Sequence, residues 1–131
     1  AAVLTTPFLC VLLAFVLAWL MRVPVFVAIS RSGEPFDNKE PGRQLARLEG
    51  FGARAVAAHR SALDNFGPFA AAVVIAHLGD ADPRRSAVLA IGYVVASTLH
   101  CLAYLANADY LRSFVWMVGF LATVGLFVLA L

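Results

Sequence analysis

Apolar positions dominate the chain in long uninterrupted runs, broken by a few short polar stretches. No charged residue occurs from Ala1 to Met21; Arg22 then interrupts, and Val23 to Ile29 is apolar again around Pro24. Ser86 to Ala106 forms another apolar run, and Leu111 onward is uncharged except for Arg112. Runs of about 20 apolar residues are long enough to cross a bilayer as helices. Phe51 to Leu78 is the mixed case. It is helix-like and Ala-rich but carries Arg54, His59, Arg60, Ser61, Asp64 and Asn65, and only Pro68 to Leu78 is cleanly apolar. The pattern predicts four transmembrane helices, at about 2–29, 51–78, 86–106 and 112–131. The opening run reads as a span rather than a secretory leader, because its start is not basic and its apolar core is too long.

Between the first two spans lies a polar loop, about 31–50. Gly33, Pro35, Pro41 and Gly42 are expected to break regular structure in its first half, with Gln44 to Glu49 able to begin a helix. Gly79 to Arg85 and Asn107 to Leu111 read as short turns. The expected fold class is all-α: a single-domain integral membrane four-helix bundle.

Composition agrees. Of 131 residues, 62% are hydrophobic and 14% charged, against roughly 45–50% and about 25% in soluble domains. Mean hydropathy is +0.84. A soluble enzyme and a disordered tail are excluded. A net charge of +2 is too weak to advertise a nucleic acid partner. Arg31, Lys39, Arg43 and Arg47 of the long loop, with Arg112, share one end of a four-span bundle, whereas the 79–85 turn holds Arg84 and Arg85. The excess of positive charge predicts a cytoplasmic loop and both termini outside. Cys10 and Cys101 fall roughly 9 Å apart in depth at 1.5 Å per residue, and are expected as buried free thiols.

The candidate chemistry sits on the mixed span. At 100° per residue Arg54, Ala58, Ser61 and Asn65 share a face, with Ala57, Asp64 and Pro68 at its margin and His59 nearly opposite. Ionised groups at mid-membrane cost roughly 2.5–3.5 kcal/mol each on insertion scales, so such a stripe faces protein or water. One reading is structural, with Arg54 and Asp64 paired in the bundle or across subunits. The other is a hydrated ligand pocket near the cytoplasmic interface. Ser97, His100, Cys101 and Tyr104 follow i, i+3, i+4, i+7 spacing, and Arg112, Ser113 and Trp116 open the last span. These groups converge at one end of the bundle, where Arg54 and Arg112 suit carboxylates and Tyr104 and Ser113 donate hydrogen bonds. Trp116 reads equally well as part of an interfacial aromatic belt. There is no Cys/His metal spacing, no H-E-x-x-H, no P-loop and no G-x-S-x-G. A Ser61–His59–Asp64 triad is discounted, since His59 points away from Ser61 on the same helix.

The run Arg54-Ala-Val-Ala-Ala-His59-Arg60-Ser61-Ala-Leu-Asp64-Asn65-Phe66-Gly-Pro68-Phe69 resembles the second-helix signature of the MAPEG family, membrane-associated proteins in eicosanoid and glutathione metabolism. His100-x-x-x-Tyr104 followed by Leu111-Arg112-Ser113-x-x-Trp116 resembles the family's third and fourth helices. Asp37-Asn38-Lys39-Glu40-Pro41 is similar to the loop of bacterial members. The resemblance implies a homotrimer, here of the bacterial inner membrane, with glutathione as co-substrate between protomers near the cytoplasmic side. It implies Arg112 and Ser113 as the pair that activates and orients the thiol, with Tyr104 lining the site beside them as a further hydrogen-bond donor. It implies Arg54, Ser61, Asp64, Asn65, His100 and Trp116 as the glutathione-binding set.

Four positions depart from the family pattern. Ala57 stands where glutathione users often have Arg, Ser61 where Asn is usual, Asp64 where Glu is usual, and Trp116 where many members have Tyr. The resemblance points to a glutathione-dependent transferase or peroxidase acting on hydrophobic electrophiles that enter from the lipid between the first and fourth helices. The alternative on the same fold is a non-catalytic lipid-binding or scaffold protein. A transporter or channel subunit is disfavoured, because the polar stripe reaches only part way across its span.

Overall fold

The structure is a computed structural model and describes residues 5–131; the start of the expected first span, residues 2–4, lies outside them. Six helices follow in order: α1 Thr6–Leu20, α2 Arg22–Arg31, α3 Pro41–Ala46, α4 Phe51–Leu78, α5 Pro83–Leu105 and α6 Asp109–Leu129. α1 and α2 together make the first span, Thr6–Arg31, and α4, α5 and α6 are the other three. Met21 separates α1 from α2 but keeps helical φ of −69°. The break lies one turn before Pro24, which cannot donate to the carbonyl of Leu20 and crowds it, while the span itself continues.

Helix starts follow local chemistry rather than hydropathy. α5 begins at Pro83, before the two arginines that the hydropathy pattern assigns to a turn. Pro83 fits the first helical position, and Asp82 caps it by accepting from the Arg85 N–H at 3.0 Å. Both later turns use a polar residue in the left-handed region, Asp80 at φ 54° and Asn107 at φ 60°. Each closes its helix with a backbone bond back to a carbonyl five residues earlier, Ala81 N–H to Ala76 O and Ala108 N–H to Ala103 O.

The loop contains a short helix earlier than the sequence pattern suggests. Pro41 starts α3 instead of breaking it, because proline at the first helical position gives up only an N–H that has no partner anyway. Gln44 is the loop's staple. Its buried amide accepts from Asp37 N–H at 2.9 Å and donates to Pro35 O at 2.9 Å.

The bundle is built inside out. α4 packs against α1, α2, α5 and α6, and α5 lies along α6. Small residues fill the interior: Ala14, Ala18, Ala55, Ala58, Ala62, Ala72, Ala76, Ala90 and Ala96 are all buried. Leu, Phe and Val side chains instead cover the outside, as on Leu12, Phe15, Val95, Leu121 and Val128. Lipid is as apolar as leucine, so helix association relies on close approach of small residues. Four such helices, long and apolar enough to cross a membrane, make this an integral membrane protein. Cys10 and Cys101 are both buried and free, in separate parts of the core.

Candidate functional site

The polar side chains of α4, α5 and α6 meet toward the end of the bundle that carries the long loop. His100 joins them. Its Nδ1 lies 3.1 Å from the Arg112 carbonyl oxygen of α6, and its Nε2 lies 3.0 Å from Ser61 Oγ of α4. A carbonyl only accepts, so Nδ1 carries the proton. In the neutral ring Nε2 then accepts from the Ser61 hydroxyl. Ser61 Oγ in turn accepts from the Asn65 amide at 3.4 Å. The result is a one-directional chain, Asn65 to Ser61 to His100 to the first turn of α6, tying three helices together.

Tyr104 sits one turn along α5 from His100, its ring edge-on to the imidazole at 5.2 Å. The guanidinium of Arg112 lies over the Tyr104 ring, 4.6 Å from its centre. This is a cation–π contact, and it parks a fixed positive charge beside the histidine chain. Ser113, the next residue of α6, is exposed.

Below this cluster a cleft of about 270 Å³ opens between α4, α5 and α6. Asn65, Ser97 and His100 form its polar end, while Pro68, Trp116 and Phe120 belong to its largely apolar walls. Trp116 stacks on Phe120 with ring centres 5.3 Å apart. Deeper in, Tyr93 lines the cleft and stacks face to face on buried Phe69 at 3.9 Å. Gly119 lies on the cleft floor, where a Cβ would make ordinary contact with Ala96 and Tyr93 at 3.7 Å.

The expected site residues thus separate into groups. Ser61, Asn65, His100, Tyr104 and Arg112 are brought together by contacts, and Trp116 joins them through the cleft. Arg54 lies on the face of α4 that bears Ser61, about 10 Å toward the loop end. Its Nε is buried and has no hydrogen-bond partner among the described residues. Asp64 stands apart. It is exposed, forms no ion pair among the described residues, and shares an outward face with exposed Arg60, one turn back. His59 belongs elsewhere: its Nδ1 donates to the Ala18 carbonyl at 2.8 Å and its ring meets Trp19 edge-on, so it ties α4 to α1. Cys101 faces the core with Ala18, Ala58 and Ala62 rather than the cleft.

Tyr93 and Phe120 are cleft residues that the sequence reading passed over. Tyr93 precedes Ser97 by one helical turn and extends the Ser97–His100–Tyr104 stripe toward mid-membrane, which is the signal that could have found it. Phe120 carries no such signal in an apolar span.

An inside-out bundle of four spans, with a polar cluster gathered at its loop end above an apolar cleft, defines an integral membrane protein. A family-level sequence comparison matches residues 6–131 to the MAPEG family, and the chain belongs to that family. No curated protein matches the chain significantly.

Proposed function

We propose that the chain is a membrane glutathione-dependent transferase or peroxidase acting on hydrophobic electrophiles. The observation that carries this reading is the Arg112 guanidinium, held over Tyr104 at the head of an apolar cleft. A cation in that position favours negative charge on a sulfur brought to it.

The donor set suits a peptide with two carboxylates, an ammonium and a thiol. Arg54 offers a buried nitrogen without a hydrogen-bond partner among the described residues, matched to a carboxylate. Asp64, exposed and in no ion pair among the described residues, is matched to the ammonium. Ser61, Asn65 and His100 hold the wall on the Arg54 side and Trp116 closes the cleft, while Asp64, on the outward face of α4, reaches the ligand bound to a neighbouring copy. Glutathione, when bound, supplies the sulfur nucleophile. Arg112 stabilises charge there, and the Ser113 and Tyr104 hydroxyls donate hydrogen bonds to it. The thiol proton passes to water at the loop end. The apolar walls at Pro68, Trp116 and Phe120 take the electrophile and exclude water from it.

The site is completed by further copies of the chain in a homotrimer. The outward face of α4 supports this: it presents Ala53, Ala57, Arg60, Asp64, Gly67 and Ala71, small or charged, where other outward faces carry Leu, Phe and Val. Asp64 lies about 21 Å along α4 from Leu78, well within a core about 30 Å thick. An ionised pair of residues there needs protein cover rather than lipid. Loop 31–50 then faces the cytoplasm of a bacterial inner membrane.

Calorimetric titration of the detergent-purified protein with glutathione tests the reading. Heat of binding and a raised Tm at millimolar glutathione are expected. A flat titration with no thermal shift overturns it and leaves the lipid-binding scaffold, for which the apolar cleft alone would serve.

A further inference from the structure

At the end of the molecule away from the long loop, an open groove of about 450 Å³ runs between α5 and α6, lined by Asp82, Arg84, Arg85, Val88, Leu89 and Leu129. Its floor is apolar. Gly125 of α6 lets Leu89 settle against the helix, for a Cβ at that position would meet Leu89 Cδ1 at 3.0 Å. Val88 stands 63% exposed on the outer wall.

The rim carries both signs of charge. Arg84 and Arg85 are exposed in the first turn of α5 and form no ion pair among the described residues. Cations at a helix N-terminus oppose its dipole, so α5 gains nothing from them. Asp82 Oδ2 caps the helix through the Arg85 N–H, and Oδ1 has no hydrogen-bond partner among the described residues. Asp80, the other acid of the turn, lies in a separate hollow with His77 and Ser86.

Two guanidinium groups, one carboxylate oxygen and an apolar trough one turn deeper match a particular chemistry. Guanidinium forks hold phosphate oxygens, and every phospholipid headgroup offers a phosphate at this depth. We propose that this groove seats a phospholipid with a primary-ammonium headgroup, phosphatidylethanolamine. Its phosphate rests on Arg84 and Arg85, its ammonium on Asp82 Oδ1, and one acyl chain on Val88, Leu89 and Leu129. A choline headgroup has no N–H to donate to Asp82. A glycerol headgroup brings no positive charge to that carboxylate.

The test uses the full chain, delipidated in mild detergent, with Tm followed as phosphatidylethanolamine, phosphatidylcholine or phosphatidylglycerol of one chain length is added. Phosphatidylethanolamine should act at the lowest concentration. The double variant Arg84→Gln, Arg85→Gln should weaken its effect about tenfold or more, with lipid-free Tm unchanged. Asp82→Asn keeps an efficient N-cap; it should erase the preference over phosphatidylcholine while leaving the phosphatidylcholine response intact. Equal responses of the parent to all three lipids overturn the proposal. So does a preference for phosphatidylglycerol that Asp82→Asn leaves untouched, or a double variant that responds like the parent.

Discussion

A neutral imidazole donates from one nitrogen and accepts at the other, and His100 uses both, toward α6 and toward α4. Removing it breaks two interhelical bonds at once. Such bonds in membrane proteins are worth about 0.6 kcal/mol each on average, so His100→Phe should cost about 1–2 kcal/mol, read as a lowered unfolding midpoint in detergent. Arg112 is different: its carbonyl is structural, while its guanidinium stacks on Tyr104. Under the proposed function, Arg112→Ala should lower the rate of thiol conjugation by about 100-fold, as for loss of one preorganised electrostatic group. Arg112→Ala should leave the unfolding midpoint nearly unchanged, because the His100 bond goes to the backbone. Equal conjugation rates in parent and variant would remove Arg112 from the mechanism.

At the scale of the element, α4 is where local rules and tertiary need conflict. It runs unbroken from Phe51 to Leu78 with Pro68 inside it. Pro68 has no N–H, so the Asp64 carbonyl loses its helical partner beside the cleft that Pro68 lines. Pro68→Ala should restore that bond and stabilise the protein by about 1 kcal/mol or more, seen as a rise in Tm. The same change removes ring atoms from the apolar wall of the cleft and should leave glutathione binding unchanged. A Tm unchanged or lowered would mean that the surrounding helices have already adapted to the proline.

For the whole molecule, the question is what covers the charged outward face of α4. Arg60 and Asp64 are both exposed on it, and each would cost roughly 2.5–3.5 kcal/mol in lipid on insertion scales. Among the described residues no element of the protomer covers them. Under the proposed homotrimer, native mass spectrometry in mild detergent should find three times the protomer mass. A monomer persisting at high protein concentration would refute the trimer. Arg60→Leu with Asp64→Leu should remove the charge that needs cover, so the oligomer should weaken and glutathione binding with it.

Much of this molecule was legible because hydropathy and helical period act locally. Long apolar runs dictate four spans, since an unpaired backbone cannot sit in lipid. The spacing of Ser97, His100 and Tyr104 on one helix, and of Arg112 near the start of the next, places polar groups at one end of any antiparallel bundle. Contacts between helices are a different matter. That His59 ties α4 to α1 while His100 serves the cleft depends on which neighbour each helix face meets, and the residue types are identical. That Asp64 turns outward while Asn65, its neighbour in sequence, lines the cleft follows from a 100° step and from where α5 and α6 lie. Gln44's role depends on a loop folding back over nine residues to Pro35. The sequence by itself determined the class of protein, its spans and the end at which its polar groups gather. Only the tertiary structure decided which of them touch, because a side chain's partner is set by packing among helices distant along the chain.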